Sequence, residues 1–387
     1  MPAKNPKLRS TRREFGKSVG ALLAAACISP KIMAHPAAER AKSAEGDEVI
    51  RIDFNENPYG PCPRAISAIT SSEAIACRYP DELRVRAAHS IATLNHVAPE
   101  NVVLGCGSTE ILRACDAAFV GAQKQLVIAE PTFEAVTYYA SVCRARAVKV
   151  PLTSDFRHDL PAMARACANG TGLVYVCNPN NPTATINTRA EFADFISKVP
   201  ASTYVLADEA YFHFVEDPRY TSVIDMIPQH KNLIVARTFS KVYGMAGMRL
   251  GYAVGQRDTI HSVSQQLTFD NGNAAVLLAA IASLNDPEVV PLNKKRLNDS
   301  RKWVMDQMVK SGYRVIPSQA NFFMVDTGAE VTPVIHAFHE RKILVGRKFP
   351  SMPNWLRVTV GKPEEMQKFL AVFREIVPVR EPATAAS

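Results

Sequence analysis

The chain has 387 residues, of which 47% are hydrophobic and 21% are charged, and its formal net charge is +8 at pH 7. This composition excludes an intrinsically disordered chain, and no apolar run reaches the length of a membrane-spanning helix. Residues 1–34 hold seven Lys and Arg against one Glu, and the remaining residues hold 38 against 36, so the charge does not predict binding to nucleic acid.

The first 34 residues are typical of an export signal. In chain order they hold a basic stretch, the pair Arg12-Arg13, then Phe15, Lys17 and an apolar run over residues 19–28. This order resembles the twin-arginine signal of bacteria, which predicts an exported, periplasmic protein without a stable membrane anchor. A disordered basic tail is the alternative, and the cleavage site stays open between Ala34 and Ala38.

Seven cysteines follow the leader, and none forms a CxxC pair or lies at metal-ligand spacing with a histidine. The sequence therefore predicts no metal site and interprets most of these residues as small buried apolar side chains. One or two disulfides in an oxidising compartment stay open. The cysteines are Cys62, Cys77, Cys106, Cys115, Cys143, Cys167 and Cys177.

From about residue 100 short apolar runs alternate with helical patterns such as Thr109–Phe119. Apolar runs without polar alternation are typical of strands buried on both faces, so we predict an α/β fold with a mainly parallel sheet sandwiched by helices. The predicted strands are Leu126–Ala129, Leu173–Cys177, Tyr204–Ala207, Leu233–Ala236 and Leu250–Val254.

The pattern changes after about residue 275, which predicts a second, smaller α+β domain. Helices are predicted over Ala274–Leu284 and Arg296–Lys310, and strands over Asn321–Val325 and Trp355–Val360. The predicted organisation is an N-terminal arm over 35–50, a large cofactor-binding domain over 75–275, and a small domain formed by 51–74 and 276–380.

Four of the predicted strands are followed at once by polar loops. Because ligands of open α/β sheets bind beyond the carboxyl ends of the strands, we expect these loops to converge on one site. The loops are Glu130–Phe133, Asn178–Thr183, Asp208–Tyr211 and Thr238–Lys241.

Three side chains in these loops suit chemistry on a carbonyl cofactor. Lys241, in an apolar context, would lose its proton readily and attack an aldehyde, although a surface lysine near a turn is an equal alternative. Asp208 would pair with a protonated ring nitrogen, or else cap a helix. Asn181 would donate to a phenolic oxygen, or else belong to an Asn-Pro turn.

A second group of residues suits a phosphate. The stretch Gly105–Thr109 precedes an apolar helix, and a helix N-terminus after glycines favours an anion, although an ordinary helix cap is the alternative. Arg249, Thr238 and Ser240 add a guanidinium and two hydroxyls. Together with Lys241, Asp208 and Asn181 they supply the groups needed to hold pyridoxal 5'-phosphate.

From about residue 50 to 378 the chain resembles the fold-type-I pyridoxal-phosphate class I/II aminotransferases, nearest their histidinol-phosphate branch. The stretches that carry the resemblance are FNENPYGP, RYPDE, GCGSTE, PTFEA, NPNNPTA, ADEAYFHF, TFSKVYGMAGMRLGY, ANFF and NWLRVTVG. The resemblance implies a homodimer with shared active sites.

The resemblance also implies a role for each matching residue. Lys241 would bind the cofactor covalently and move the substrate's proton, while Asp208 would keep the ring nitrogen protonated. Asn181 and Tyr211 would contact the phenolic oxygen, and Phe133 would stack on the ring. The implied phosphate-binding residues are Ser108, Thr109, Thr238, Ser240, Arg249 and Tyr79, the last reaching in from a second subunit.

For the substrate, the resemblance implies that Arg357 pairs with the α-carboxylate. The side chain would lie among Asn57, Tyr59, Phe322 and Arg347, a mixture that suits an aromatic, imidazole or basic group. The arginine at position 347 commonly recognises a distal phosphate, but here a glycine precedes it and the loop to Arg357 is short.

Two further departures are Ala184, where glycine is usual, and Cys106, where asparagine is common. We expect an aminotransferase acting between an L-amino acid and a 2-oxo acid. A decarboxylase, lyase or oxidase of the same fold would keep almost every residue named, and a non-catalytic cofactor-binding protein is the third reading.

Overall fold

The computed structural model describes residues 49–167 and 170–379. The predicted twin-arginine leader, with Arg12 and Arg13, lies outside the described residues, as does the predicted arm except for its last two residues. Strands within the described chain are β1 Ile50–Ile52, β2 Val102–Gly105, β3 Gln125–Glu130, β4 Ala147–Pro151, β5 Thr171–Cys177, β6 Tyr204–Asp208, β7 Leu233–Thr238, β8 Gly251–Gly255, β9 Val315–Ile316, β10 Phe322–Asp326, β11 Ile343–Val345 and β12 Trp355–Thr359.

Helices surround these strands on both sides of the main sheet. They are α1 Pro63–Thr70, α2 Asp81–Leu94, α3 Gly107–Phe119, α4 Ala135–Val142, α5 Leu160–Ala166, α6 Arg189–Lys198, α7 Arg257–Ser264, α8 Ala274–Leu284, α9 Val289–Lys310, α10 Thr332–Glu340 and α11 Pro363–Ile376. Short 3-10 turns lie at Ser71–Ile75, Pro99–Asn101, Phe212–Phe214, Ile224–Met226 and Ala246–Met248.

The main sheet has seven strands in the order β2-β8-β7-β6-β5-β3-β4. Strands β7, β6, β5, β3 and β4 are parallel to their neighbours within this run, which confirms the predicted mainly parallel sheet. All five predicted strands of this sheet exist, with bounds that differ by one or two residues.

Strand β8 is antiparallel to its neighbours. The sequence interpreted residues 250–254 as one more strand of a parallel sheet, so this direction was not predicted. It pairs antiparallel with β7 and with β2. The connection from Thr238 to Gly251 contains only the 3-10 turn at 246–248 and no crossover helix. Without a crossover the chain returns beside β7 in the opposite direction.

The sheet is buried on both faces, as its apolar strands predict. In β6, Val205 and Ala207 belong to one apolar cluster, and Leu206 belongs to the cluster on the other face. Leu206 packs there with Ile111 and Cys115 of α3.

Beyond the main sheet, β9, β10 and β12 form an antiparallel sheet in the order β12-β10-β9, and β1 pairs parallel with β11. The stretch after β1 joins this region by hydrogen bonds, because Asn55 N donates to Thr359 Oγ1 and Asn321 Nδ2 donates to Asn55 O. This places residues 53–55 beside β12. The division into a large and a small domain stays a prediction.

All seven cysteines of the described chain are free thiols. Cys115, Cys167 and Cys177 are buried as predicted, but Cys77, which follows a 3-10 turn, and Cys106, which precedes α3, are exposed. No single helix within the described ranges has the length and apolarity to cross a membrane.

Candidate active site

The four predicted polar loops follow strands that are neighbours in the sheet. Glu130, Cys177, Asp208 and Thr238 end β3, β5, β6 and β7, which lie side by side in the order β7-β6-β5-β3. Since these strands are parallel, their carboxyl ends lie at one edge of the sheet. The predicted site residues on these loops are therefore brought together.

Lys241 follows β7 and points at the chain after β1. Its Nζ donates to the carbonyl oxygen of Asn55 at 2.9 Å and lies 5.4 Å from the centre of the Tyr211 ring. Burial is the largest cause that lowers the pKa of Lys241 to about 8, and the positive charge of Arg357 is the next cause in the same direction. Because that pKa lies about one unit above pH 7, roughly a tenth of the amine is neutral there, and the neutral form is the nucleophile for an aldehyde.

Asp208 ends β6 deep in the site. Its Oδ2 accepts a hydrogen bond from the Tyr175 hydroxyl at 2.8 Å, and its Oδ1 accepts one from the Ala210 amide at 3.0 Å. Burial raises the pKa of Asp208 to about 6 in spite of these two hydrogen bonds, which act to lower it. The side chain is still mostly a carboxylate at pH 7, as pairing with a protonated ring nitrogen requires.

Tyr211 and Asn181 are both buried beside these groups. The Tyr211 hydroxyl accepts from Asn55 Nδ2 at 3.2 Å, and burial raises the pKa of Tyr211, so the phenol stays neutral. Asn181 Oδ1 accepts from Arg357, which leaves the amide nitrogen to act as the donor that the sequence predicted.

Arg357 lies on β12 and is 8% exposed. Its Nη1 donates to Asn181 Oδ1 and its Nη2 to the carbonyl oxygen of Asp53, both at 2.8 Å. Burial lowers the pKa of Arg357 to about 10, and Nε has no hydrogen-bond partner among the described residues. A buried cation with an unused donor fits an incoming carboxylate.

The predicted phosphate site lies at the N-terminus of α3. Ser108 and Thr109 belong to its first turn, and the side chain of Cys106 at the N-cap makes no capping hydrogen bond. A Cβ on Gly107 would lie 2.2 Å from Arg249 Nη2, so only a glycine lets this guanidinium lie against the helix start. Uncapped amides at a helix N-terminus, together with a guanidinium, fit a phosphate group.

The loop after β7 completes this cradle. Thr238 Oγ1 donates to Ser240 Oγ at 2.9 Å, and Arg249 Nη1 lies 3.5 Å from the same oxygen. A Cβ on Gly251 would lie 2.2 Å from the Ser108 amide nitrogen, so β8 passes directly beside the helix start. The residues present therefore fit pyridoxal 5'-phosphate at its phosphate, its ring nitrogen and its aldehyde.

Phe133 is partly buried in the loop after β3 and packs on the apolar cluster of α3 and α4. Tyr79 is 80% exposed in this chain, with no contact to the other predicted cofactor residues among the described hydrogen bonds and ring contacts. The roles predicted for Phe133 in stacking and for Tyr79 at a second subunit's cofactor stay predictions.

The predicted side-chain pocket is only partly assembled. Phe322 is buried and meets the Tyr211 ring edge-on, with ring centres 5.0 Å apart. Asn57 uses its amide internally, donating to Val242 O and accepting from Tyr59 N. The Tyr59 ring lies under the Arg296 guanidinium, with no contact to Phe322 among the described ring and hydrogen-bond contacts. The substrate roles of Asn57 and Tyr59 stay predictions.

Arg347 lies in the loop between β11 and β12, and its Nη2 is 2.6 Å from Glu134 Oε2. Its guanidinium also lies 4.3 Å from the centre of the Phe349 ring, which Arg357 contacts at 5.3 Å. Sequence reasoning missed Glu134 although it stands in the quoted stretch PTFEA. It missed Tyr175 as well, because a tyrosine within an apolar run was interpreted as core.

The two departures from the family pattern have local explanations. Ala184 has φ +59°, the left-handed region that favours glycine, and it holds the turn by donating to Asn180 O and accepting from Gln319 N. Cys106 is exposed and does not cap α3, while its amide donates to Glu110 Oε2.

Comparison with known proteins agrees with this geometry. Residues 47–373 match the family of class I and II aminotransferases. The chain is 34% identical to the histidinol-phosphate aminotransferase of Moorella thermoacetica over 90% of this chain and 91% of that one. It is 37% identical to the aromatic amino acid aminotransferase of Rhodococcus jostii, over 83% and 88%.

Among solved structures, the histidinol-phosphate aminotransferase of Sinorhizobium meliloti in complex with pyridoxal 5'-phosphate superposes with a TM-score of 0.80. The two sequences are 25% identical, and the match covers 90% of this chain and 98% of that one.

Proposed function

The chain belongs to the class I and II aminotransferase family, and from this premise we propose that it transfers an amino group from an L-amino acid with an aromatic, imidazole or basic side chain to a 2-oxo acid. It is a pyridoxal-phosphate-dependent enzyme. We propose three further properties of the enzyme: the class of its amino donor, its assembly as a homodimer and its location in the cell.

One observation carries the proposal for an α-amino acid. The Nε of the buried Arg357 guanidinium has no hydrogen-bond partner in the part of the chain that the structure describes, and the guanidinium lies close enough to lower the pKa of Lys241. A carboxylate bound at Arg357 would hold the neighbouring amino group within reach of the Lys241 amine. Phe322 and Tyr211 then offer aromatic surface for an apolar or imidazole side chain.

The chain's own groups divide the chemistry between them. When bound, pyridoxal 5'-phosphate supplies an aldehyde that carries the amino group and a ring that accepts electrons. Lys241 Nζ, whose pKa is lowered, would accept the proton from the substrate's Cα and pass it to the cofactor carbon that had carried the aldehyde. Asp208 would keep the proton on the ring nitrogen, and the N-terminus of α3 together with Arg249 would hold the phosphate.

The test is an absorbance titration of the purified holoenzyme with a panel of L-amino acids in the absence of any oxo acid. We expect the visible band of the lysine-bound cofactor to be lost with aromatic or imidazole donors and restored by 2-oxoglutarate. If the band decays while carbon dioxide, ammonia or peroxide is released, a decarboxylase, lyase or oxidase reaction replaces the proposed one.

A Lys241→Ala variant is the matched test of the nucleophile. We expect turnover to fall by about 10³-fold or more, since the proton carrier is lost, and borohydride to trap no cofactor on the protein. Trapping and turnover retained in this variant would remove Lys241 from the mechanism.

We propose further that the enzyme is a homodimer with shared sites. Tyr79 and Phe269 are 80% and 91% exposed in the single chain, and we expect a second subunit to cover them. The chain mass is 42.4 kDa, so sedimentation should give about twice that value. A monomer with full activity would contradict the dimer.

We also propose export by the twin-arginine route, which would allow the cofactor to be bound before export. The support is the leader sequence around Arg12 and Arg13. Fractionation of cells that express the full chain should place it in the periplasm. The Arg12→Lys/Arg13→Lys variant should stay in the cytoplasm, and equal distribution of both would contradict the proposal.

A further inference from the structure

Glu134 and Arg347 form an ion pair at the edge of the proposed substrate site. Arg347 Nη2 lies 2.6 Å from Glu134 Oε2, with side chains that are 44% and 57% exposed. Glu134 directly follows Phe133 at the end of the β3 loop, and Arg347 follows β11. The pair joins two segments that are 213 residues apart in the sequence.

The pair lies one aromatic ring away from Arg357. The Phe349 side chain is 2% exposed, and its ring centre is 4.3 Å from the Arg347 guanidinium and 5.3 Å from the Arg357 guanidinium. The charges of the pair reach Arg357, because Arg347 lowers the pKa of Arg357 and Glu134 raises it. The charge of Glu134 therefore changes the electrostatic potential at Arg357, where we propose that the substrate's anion binds.

Two donors with the same imidazole side chain place their anions differently. In L-histidine the carboxylate is bonded directly to the carbon that carries the amino group. In histidinol phosphate a CH2–O link replaces the carboxylate and carries a phosphate with up to two negative charges. If the amino group of each faces Lys241, the phosphate extends past the position of the carboxylate, toward Arg347.

A phosphate at that point would need the guanidinium donors of Arg347. One of the two Nη groups is held by Glu134, and the other donates to the Lys348 carbonyl oxygen. The phosphate would also meet the Glu134 carboxylate, and a phosphate beside an acidic side chain is disfavoured by like-charge repulsion.

We propose that Glu134 determines the specificity of this site by neutralising Arg347, so that the enzyme selects donors with an α-carboxylate and disfavours donors with a phosphate in its place. The inference rests on the proposed function. An exposed ion pair contributes only about 0.2–1 kcal/mol to stability in general, so the fold should survive its removal.

The experiment compares L-histidine with histidinol phosphate as donors for wild type, Glu134→Gln and Glu130→Gln. Gln keeps the shape of the side chain and removes its charge. Glu130 is the matched control, because it lies four residues earlier and contacts Lys149 and Ser351, with no contact to Arg347 among its described ion pairs and hydrogen bonds. The readout is the ratio of kcat/KM for histidinol phosphate to kcat/KM for L-histidine.

Wild type should prefer L-histidine, and Glu134→Gln should raise the ratio by about tenfold or more, the effect of removing one charge at a partly exposed site. The change should lie in KM, since the charge of Glu134 acts on the binding of the donor's anion. Glu130→Gln should leave the ratio within about twofold of wild type. Adding Arg347→Gln to the Glu134→Gln variant should return the ratio of kcat/KM values to about the wild-type value.

A ratio unchanged by Glu134→Gln, an equal rise in Glu130→Gln, or a wild-type preference for histidinol phosphate would overturn the inference. Absence of turnover with every amino donor would instead overturn the proposed function. In that case the dissociation constants of both ligands, measured from the cofactor absorbance of the three proteins, test Glu134 independently of catalysis.

Discussion

Tyr175 donates its hydroxyl hydrogen bond to Asp208 Oδ2 at 2.8 Å, across neighbouring parallel strands β5 and β6. Both side chains are buried. Burial raises the pKa of Asp208 to about 6, and the hydrogen bond from Tyr175 works against that rise. The tyrosine therefore helps to keep Asp208 ionised where the ring nitrogen of the cofactor requires a carboxylate.

The Tyr175→Phe variant tests this relationship. Losing a donor to the ionised form raises the pKa of Asp208, so the carboxylate is lost at a higher pH as the solution is acidified. We expect the acid limb of the kcat/KM profile to move up by about one pH unit and activity to recover near pH 8.5. Tyr204→Phe on β6, a stacked ring against Phe119, is the control and should leave the profile in place. An unmoved profile in Tyr175→Phe would show that the hydroxyl does not act on Asp208.

The sequence predicted the sheet and the chemistry of its loops because both depend on local patterns. Short apolar runs predicted the buried strands, and the residue types after them predicted Lys241 and Asp208. The direction of β8 depends on the absence of a helix between β7 and β8, and the pattern of apolar runs does not predict strand direction. The Tyr175–Asp208 and Arg347–Glu134 contacts join residues 33 and 213 positions apart, so only the fold brings them together.

The Arg357→Gln variant should affect both the substrate and the Lys241 amine. Loss of the guanidinium removes the proposed partner of the α-carboxylate, so KM for L-amino acids should rise about 100-fold. Because the Arg357 charge lowers the pKa of Lys241, its removal should raise that pKa. A smaller fraction of the amine is then neutral at pH 7, and the cofactor should combine more slowly with the apoenzyme.

Stopped-flow absorbance of cofactor binding at pH 7 and pH 9 separates these two effects. The deficit of Arg357→Gln should be larger at pH 7 than at pH 9. Arg314→Gln, whose guanidinium lies over the Trp355 ring, is the control. An equal deficit at both pH values would show that Arg357 does not set the protonation of Lys241.

Two glycines after Lys241, Gly247 in the loop and Gly251 in β8, allow a test of the phosphate site in which one substitution is the control for the other. A Cβ at Gly251 would lie 2.2 Å from the Ser108 amide nitrogen, whereas a Cβ at Gly247 would have no atom within 4 Å. Gly251→Ala should therefore displace the α3 N-terminus and weaken cofactor binding by about tenfold or more. Equilibrium dialysis against pyridoxal 5'-phosphate measures both variants, and equal affinities would contradict a phosphate held at the start of α3.

Asp116 of α3 is completely buried, and neither carboxylate oxygen has a hydrogen-bond partner among the described residues. Burial raises the pKa of Asp116 to about 8, compared with about 3.9 in an unfolded chain. Between these values the folded chain keeps a proton that the unfolded chain has released. The free energy of unfolding therefore falls as the pH rises, and the full penalty is present above pH 8.

Asp116→Asn removes this titration at nearly constant shape. Relative to wild type, the variant should gain stability from pH 5 to pH 8 by about 2 kcal/mol or more, given about 1.4 kcal/mol for each pKa unit. Comparing the two pH values cancels the constant cost of burying the amide. Urea unfolding of both holoenzymes measures the difference, and Asp299→Asn on the exposed face of α9 is the control. If the difference between Asp116→Asn and wild type stayed constant from pH 5 to pH 8, Asp116 would be ionised in the folded chain, and a counter-charge would have to lie within its reach.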